Sequence, residues 1–370
     1  MITRMIRHLF RASLIAVLAV PTPARVATAS TLTTLFSFTG GSDGGDPEAG
    51  LIFDRTGALY GTTAAGGSVY EGTVFKLTPP STRGGPWTES VLHSFSGFVR
   101  GGENNDGAYP EAGLIFDSTG ALYGTTFAGG YNGYGTVFKL TPPSTPGGAW
   151  SESVLCSIRG GCGGSGYPHA GLTIDSAGAL YGTTTSEESA SSVFKVTPPS
   201  TPGGSWTGSL LHYFNDYQGP GVYAGVIFDS SGALYGTDSE DIVFPSSCPP
   251  DIFVGCGIVF KLTPPSTPGG TWTESTLHIF SGSDGANPKA GLISDSAGAL
   301  YGTTAEGGVY DAGTVFKLVS FAGLRGQPNC IGKSISALAR KFGGLAAAAA
   351  ALGYSSVQDL HDAVVGYCGG

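Results

Sequence analysis

GLIFDRTGALYGTT, residues 50–63, is written five times in this chain with small changes. The later copies begin at Gly113, Gly171, Gly225 and Gly291, and the fourth ends in Asp238 where the others carry threonine. Anchored on the aspartate of each copy (Asp54, Asp117, Asp175, Asp229, Asp295), the units lie 63, 58, 54 and 66 residues apart. That period is too long for a solenoid coil and suits a sheet of four short strands.

Reading outward from the first copy gives the same plan in every unit. GLIFD (50–54) and ALYGTT (58–63) flank a short turn, a Gly-rich stretch follows, and then GTVFKLT (72–78), PPSTRGGP and WTESVLHSF (87–95). Four runs rich in Val, Phe, Tyr, Thr and Leu, separated by Gly, Pro and Ser, predict an antiparallel meander of strands A to D. The carboxylate of Asp54 can accept a backbone hydrogen bond two residues on, and Gly57 tolerates the positive φ of a tight turn. The recurring tyrosine (Tyr60, Tyr123, Tyr181, Tyr235, Tyr301) supplies packing area and a hydroxyl that needs a partner once buried. The glycine after it is expected to admit close approach of a neighbouring backbone. The phrase reads as architecture.

The fifth unit stops at Leu318 without a strand D. All four tryptophans, Trp87, Trp150, Trp206 and Trp272, open strand D of units one to four. The missing strand recurs at the other end as TLTTLFSF (31–38), where Leu35 and Phe38 align with Leu92 and Phe95. An array left unfinished would expose strand edges. The expected fold is therefore an all-β, five-bladed β-propeller over 30–318, closed by its N-terminal strand pairing beside 313–318, plus a small C-terminal helical module. An open β-solenoid, the competing architecture, would need terminal caps.

The units resemble the tandem GloVer repeat of choice-of-anchor proteins, through AGLIFDxxGALYGTTxxGG followed by GTVFKLTP over about residues 31–318. The resemblance implies an exported bacterial protein whose C-terminal anchor varies between members, and it implies no reaction. Unit three departs by reading TSEESASS after GTT, and unit four by Gly225-Val226 and the insert 239–256. The C-terminus resembles no membrane anchor.

Residues 1–29 read as a signal peptide, with Arg4, Arg7 and Arg11 ahead of the apolar ASLIAVLAV (12–20) and small residues up to Ala29. The apolar run is too short to span a bilayer, so no transmembrane segment is expected after cleavage. Export to an extracellular, periplasmic or cell-surface location puts six cysteines in an oxidising compartment, and proximity pairs them as Cys156–Cys162, Cys248–Cys256 and Cys330–Cys368. A formal charge of -9 leaves no basic stripe for phosphates, which excludes a nucleic-acid binder. No metal or cofactor motif is present: CxxC and HExxH are absent, and GGSDG (40–44) lacks the strand-to-helix setting of a nucleophile elbow. Asp43, Asp106 and Asp284 share related crossovers that could gather a calcium ion, without EF-hand spacing to support it.

The A–B and C–D turns are monotonous and fall at one end of the meander, whereas the B–C loops and D–A crossovers vary and fall at the other. Binding residues concentrate on variable loops carried by a rigid scaffold. The candidate binding residues are Tyr109, Tyr131, Tyr134, Tyr167, His169, Tyr223 and Asp251. No nucleophile, base and orienter assemble from the sequence, so no catalytic residue is named. The lysines of VFKL/V (Lys76, Lys139, Lys195, Lys261, Lys317) are expected to face the glutamate of strand D (Glu89, Glu152, Glu274) across the hairpin.

Residues 319–329 read as a linker, and 330–370 as a helical module clipped by Cys330–Cys368. Ile335, Leu338 and Phe342, then Val357, Leu360 and Val364, fall at helical spacing, and SVQD (356–359) is a capping start. The sequence thus favours an exported, non-enzymatic scaffold for an unknown protein or carbohydrate ligand. A glycan-binding or glycan-hydrolysing propeller and a structural envelope protein are the alternatives.

Overall fold

The computed structural model describes residues 32–97, 105–145, 147–185, 191–201, 203–214, 221–239, 255–267, 269–296, 298–319 and 330–369. The signal segment, Cys248 and Asp251 lie outside them.

Five antiparallel sheets follow one another along the chain. The first holds β1 (Ile52–Phe53), β2 (Leu59–Thr63), β3 (Thr73–Thr78) and β4 (Thr88–Ser94), hydrogen-bonded in that order. The second holds β5 (Ile115–Phe116), β6 (Leu122–Thr126), β7 (Thr136–Thr141) and β8 (Ser151–Ser157), and the third β9 (Thr173–Ile174), β10 (Leu180–Thr184), β11 (Ser192–Thr197) and β12 (Thr207–Tyr213). The fourth holds β13 (Ile227–Phe228), β14 (Leu234–Asp238), β15 (Ile258–Thr263) and β16 (Thr273–Ile279). The fifth has three strands, β17 (Ile293–Ser294), β18 (Leu300–Thr304) and β19 (Thr314–Leu318). Each complete C–D pair shifts register at the same Val–Phe step, as at Val74/Phe75 and Val137/Phe138. That bulge adds twist at an equivalent place in four sheets.

The A–B turn behaves as its residues require. Asp54 Oδ1 accepts the Thr56 and Ala58 amides at 2.8 and 3.0 Å, and Oδ2 accepts the Tyr60 hydroxyl at 3.1 Å. Asp117, Asp175 and Asp229 hold Tyr123, Tyr181 and Tyr235 in the same way. Gly57 adopts φ 84°, the left-handed conformation that a side chain would strain. The glycine after the tyrosine is explained differently from the expected backbone approach. A Cβ on Gly61 would meet the Phe75 ring at 2.8 Å and Leu51 at 2.7 Å, so glycine here makes room for side chains.

Neighbouring sheets bury one repeated cluster. Ala58, Tyr60, Val74 and Phe95 of the first unit pack on Leu114, Leu122, Phe138 and Leu140 of the second. The next three junctions repeat this cluster, with ring pairs such as Phe214–Phe260 and Phe280–Phe316 at 4.8 and 5.1 Å. Among the described residues no core cluster joins the fifth sheet to the first.

Among the described residues, 32–39 carry no strand and β18 is the one strand neighbour of β19, so no described strand completes the fifth sheet. Phe36 and Phe38 pack on the far side of the first sheet, against Phe75, Leu59 and Leu77, with Phe38 and Phe75 at 4.9 Å edge to face. Phe38 thereby fills toward the first sheet the position that Phe95 fills toward the second. The expected lysine–glutamate pairing fails, because Lys76 lies opposite Ser90 and Glu89 opposite Leu77. One residue of register moves a side chain to the other face. The lysines turn instead to the A–B turn, Lys76 lying 3.9 Å from Asp54 and 5.2 Å from the Tyr60 ring centre.

The tail folds as α1 (Cys330–Phe342), α2 (Leu345–Leu352) and α3 (Val357–Gly369) around Leu338, Leu352, Leu360 and Val364. Ser356 Oγ accepts the Asp359 amide at 3.0 Å and caps α3. Cys330 and Cys368 are bonded, and Lys317 Nζ donates to the Leu352 carbonyl at 3.1 Å, joining this part to the fifth unit. No single described helix is long and apolar enough to cross a membrane; α1 and α2 reach that measure only jointly, and they meet at 86°.

Candidate functional site

The segment entering strand A sets the geometry of one repeated position. It reads Glu48-Ala49-Gly50, Glu111-Ala112-Gly113, His169-Ala170-Gly171, Tyr223-Ala224-Gly225 and Lys289-Ala290-Gly291. Alanine and glycine never change, and the residue before them is different in every unit but one. The constant pair is a packing requirement. Thr62, Thr125, Thr183 and Thr237 each donate a hydroxyl to the alanine carbonyl of the next unit, at 3.0–3.3 Å. A Cβ on Gly171 or Gly225 would come within 3.1 or 3.0 Å of the preceding unit's glycine carbonyl. Successive segments therefore lie side by side, and their leading residues form a row.

Within that row the side chains meet in order. His169 Nδ1 lies 3.2 Å from Glu111 Oε2. The His169 and Tyr223 rings are 5.9 Å apart, and Lys289 Nζ lies 5.3 Å from the centre of the Tyr223 ring. Burial pushes the Glu111 carboxyl above its ordinary range; His169 opposes the shift and Glu48 adds to it. Phe127, the residue after GTT in unit two, extends the row. It stacks on Tyr167 at 4.7 Å and lies 4.9 Å from His169, while Tyr134 lies 5.0 Å from Tyr167 and carries the Arg159 guanidinium over its face at 3.9 Å.

Of the residues expected from sequence, Tyr134, Tyr167, His169 and Tyr223 are thus brought together. Tyr109 and Tyr131 are not. Tyr131 is 84% exposed and held by its amide on Ser157 Oγ. Tyr109 joins loops through its backbone, and the charge of nearby Glu71, with some burial, raises its hydroxyl. Asp251 lies outside the described residues. Glu48, Glu111, Lys289 and Phe127 were missed, although aligning the units on the constant Ala-Gly exposes the first three.

A second repeated site lies between sheets. His93 Nε2 is 2.9 Å from Asp106, which also accepts the Ser96 amide and hydroxyl at 2.9 and 2.7 Å. Burial works to raise Asp106, yet these bonds outweigh it and hold the carboxyl below its usual value. Glu152 of the next unit faces the same pair; burial pushes its carboxyl up to about 7, and Oε1 has no hydrogen-bond partner. His212 meets Glu274 at 3.3 Å two junctions further on. Between units two and three the histidine is replaced by Cys156 and the glutamate by Gly208. There Cys156 bonds Cys162, and a Cβ on Gly208 would lie 2.4 Å from Cys162 Cα, so the two replacements serve one disulfide loop. Cys256 is also disulfide-bonded. Asp43, Asp106 and Asp284 cap three separate loops, and no group of three metal-ligating side chains occurs among the described residues. Two open clefts of about 1100 and 640 Å³ lie at the other end of the sheets, lined by Trp272, Tyr181 and Lys195 in one and Trp150 and Lys76 in the other.

A family model described as the Gloeobacter/Verrucomicrobia repeat matches residues 22–193 and 88–244. No curated protein matches the chain. Among solved structures, a glucose dehydrogenase is 16% identical with a TM-score of 0.43, covering 74% of this chain and 84% of that one. A thermostable family-43 glycoside hydrolase is 14% identical with a TM-score of 0.36, covering 76% and 91%. At that level the likeness identifies neither a fold nor a reaction.

Proposed function

The chain belongs to the Gloeobacter/Verrucomicrobia repeat family, and from that premise we propose that it is an exported, non-enzymatic five-bladed β-propeller that binds a ligand on its variable face. The observation that carries this reading is the row itself. Where packing holds Ala-Gly constant through every unit, the adjoining residue runs Glu48, Glu111, His169, Tyr223, Lys289, and from Glu111 to Lys289 its members neighbour one another in order. A position that serves only the fold would repeat, as the tyrosines and aspartates of the A–B turn do. The leader-like start and the Cys156–Cys162 and Cys330–Cys368 bonds support export.

In this reading residues 31–38 complete the fifth sheet beside β19 and the ring closes. Phe38 on Phe75 and Asp43 on the Thr39 amide support it, since they repeat the contacts of Phe95 and Asp106 at the next junction. Closure would bring Lys289 beside Glu48, opposite charges at neighbouring places in the row. It would also set the Thr303 hydroxyl against the Ala49 carbonyl, the bond made at the four other junctions.

Thermal-shift screening of the chain from residue 30 against oligosaccharides, peptides and amino acids tests the function. At least one ligand should raise the melting temperature of the parent but not of a His169→Ala/Tyr223→Ala variant. Ligands that stabilise both equally, or none, contradict the reading.

A further inference from the structure

The chemistry of the row narrows its ligand. We propose that it binds a neutral oligosaccharide, an inference that rests on the row being the binding surface and adds the class of ligand. Three alternatives fit less well. A polyanion would meet Glu48 and Glu111, and the nearby cations, Arg159 and Lys289, each lie over a tyrosine ring. A wholly apolar ligand would strand polar atoms, since every member from Glu48 to Lys289 carries one. A metal has no three-ligand group among the described residues.

A sugar ring matches what is present. Its faces are lined with C–H groups that stack on aromatic rings, and its rim carries hydroxyls that both donate and accept. Here His169 and Tyr223 provide adjacent ring surfaces, the stacked pair Phe127 and Tyr167 adjoins His169, and the acceptors Glu48 and Glu111 and the donor Lys289 flank the rings. His169 and Glu111 keep about a third and a quarter of their side-chain surface accessible, so the row is open to a ligand. A site with aromatic walls and a few convergent polar groups is the usual form of a small-ligand site. The five units each place one group, which suits a chain of several sugars over a single ring.

Isothermal titration of the chain from residue 30 with hexasaccharides of glucose, N-acetylglucosamine, mannose and xylose provides the test. At least one should bind, and Tyr223→Ala or His169→Ala should weaken it about tenfold or more. Arg83→Ala, an exposed site in the C–D turn at the other end of the sheet, should leave binding unchanged. If the alanine variants fail to fold, the isosteric Glu111→Gln carries the comparison, with the same loss expected. Should no hexasaccharide bind while a peptide or amino acid still shows row-dependent stabilisation, the saccharide assignment falls and the scaffold reading stands. Row-independent saccharide binding overturns the assignment as well, and silence from every ligand class overturns both.

Discussion

The four inner junctions and the two outer faces of the sheet array are built from the same residues and end in different states. Val74, Val137, Val193 and Val259 are fully buried, whereas their counterpart Val315 is 83% exposed. Leu114 is 3% exposed where it enters the second sheet, and its counterpart Leu51 is 50% exposed in the first. Thr62, Thr125, Thr183 and Thr237 each bridge to the next unit, while Thr303 has no such bond among the described residues. The outer faces therefore carry the same residues that the inner junctions bury. Apolar surface of this kind, at two ends with matching patterns, marks an interface.

Truncations sharpen that contrast. Phe138→Ala removes a fully buried ring from an inner junction and should cost about 3–5 kcal/mol in chemical denaturation. Phe38→Ala should cost about 1–3 kcal/mol, less because Phe38 is only half-buried, yet well above zero if it stands in for a preceding unit. Val259→Ala should cost about 2 kcal/mol. Val315→Ala should match it in a closed ring and fall near zero once residues 31–38 are deleted. Equal indifference in both chains breaks the closure.

The smallest effect separates two inner junctions by pH. Glu152 holds its proton in the folded chain up to about pH 7, against an ordinary value of 4.5. The folded state then binds more protons than the unfolded one, so stability falls as pH rises from 4.5 through 7. Glu152→Gln should flatten that slope and add on the order of 1 kcal/mol at pH 8, a figure reduced for partial exposure. The junction of units two and three, with Gly208 in place of the glutamate and a disulfide in place of the histidine, contributes no such slope. Denaturation curves at pH 5 and 8 measure the difference.

What could be read from sequence was local or periodic. Asp54, Gly57 and Tyr60 act within seven residues, so their turn was legible without knowing any neighbour. The helical tail was equally plain, through Leu338, Leu360 and the Cys330–Cys368 bond. The row was not, because its members share a register but no common residue type beyond Glu48 and Glu111, and a search for likeness between units passes over them. Phe127 was hidden for the same reason, its counterparts being Ala64, Thr185, Ser239 and Ala305. The lysine partner was misread by one residue of register, which in a strand is the difference between two faces. Closure of a ring depends on bringing chain ends together, a term no local pattern reports.

Amide hydrogen exchange in β19 tests the closed propeller most directly, in the chain from residue 30 and in the same chain lacking 31–38. The outward amides of 314–318 should exchange as slowly as those of 73–77 in the longer chain and become fast in the shorter one. Fast exchange in both, with 73–77 protected throughout, would contradict it.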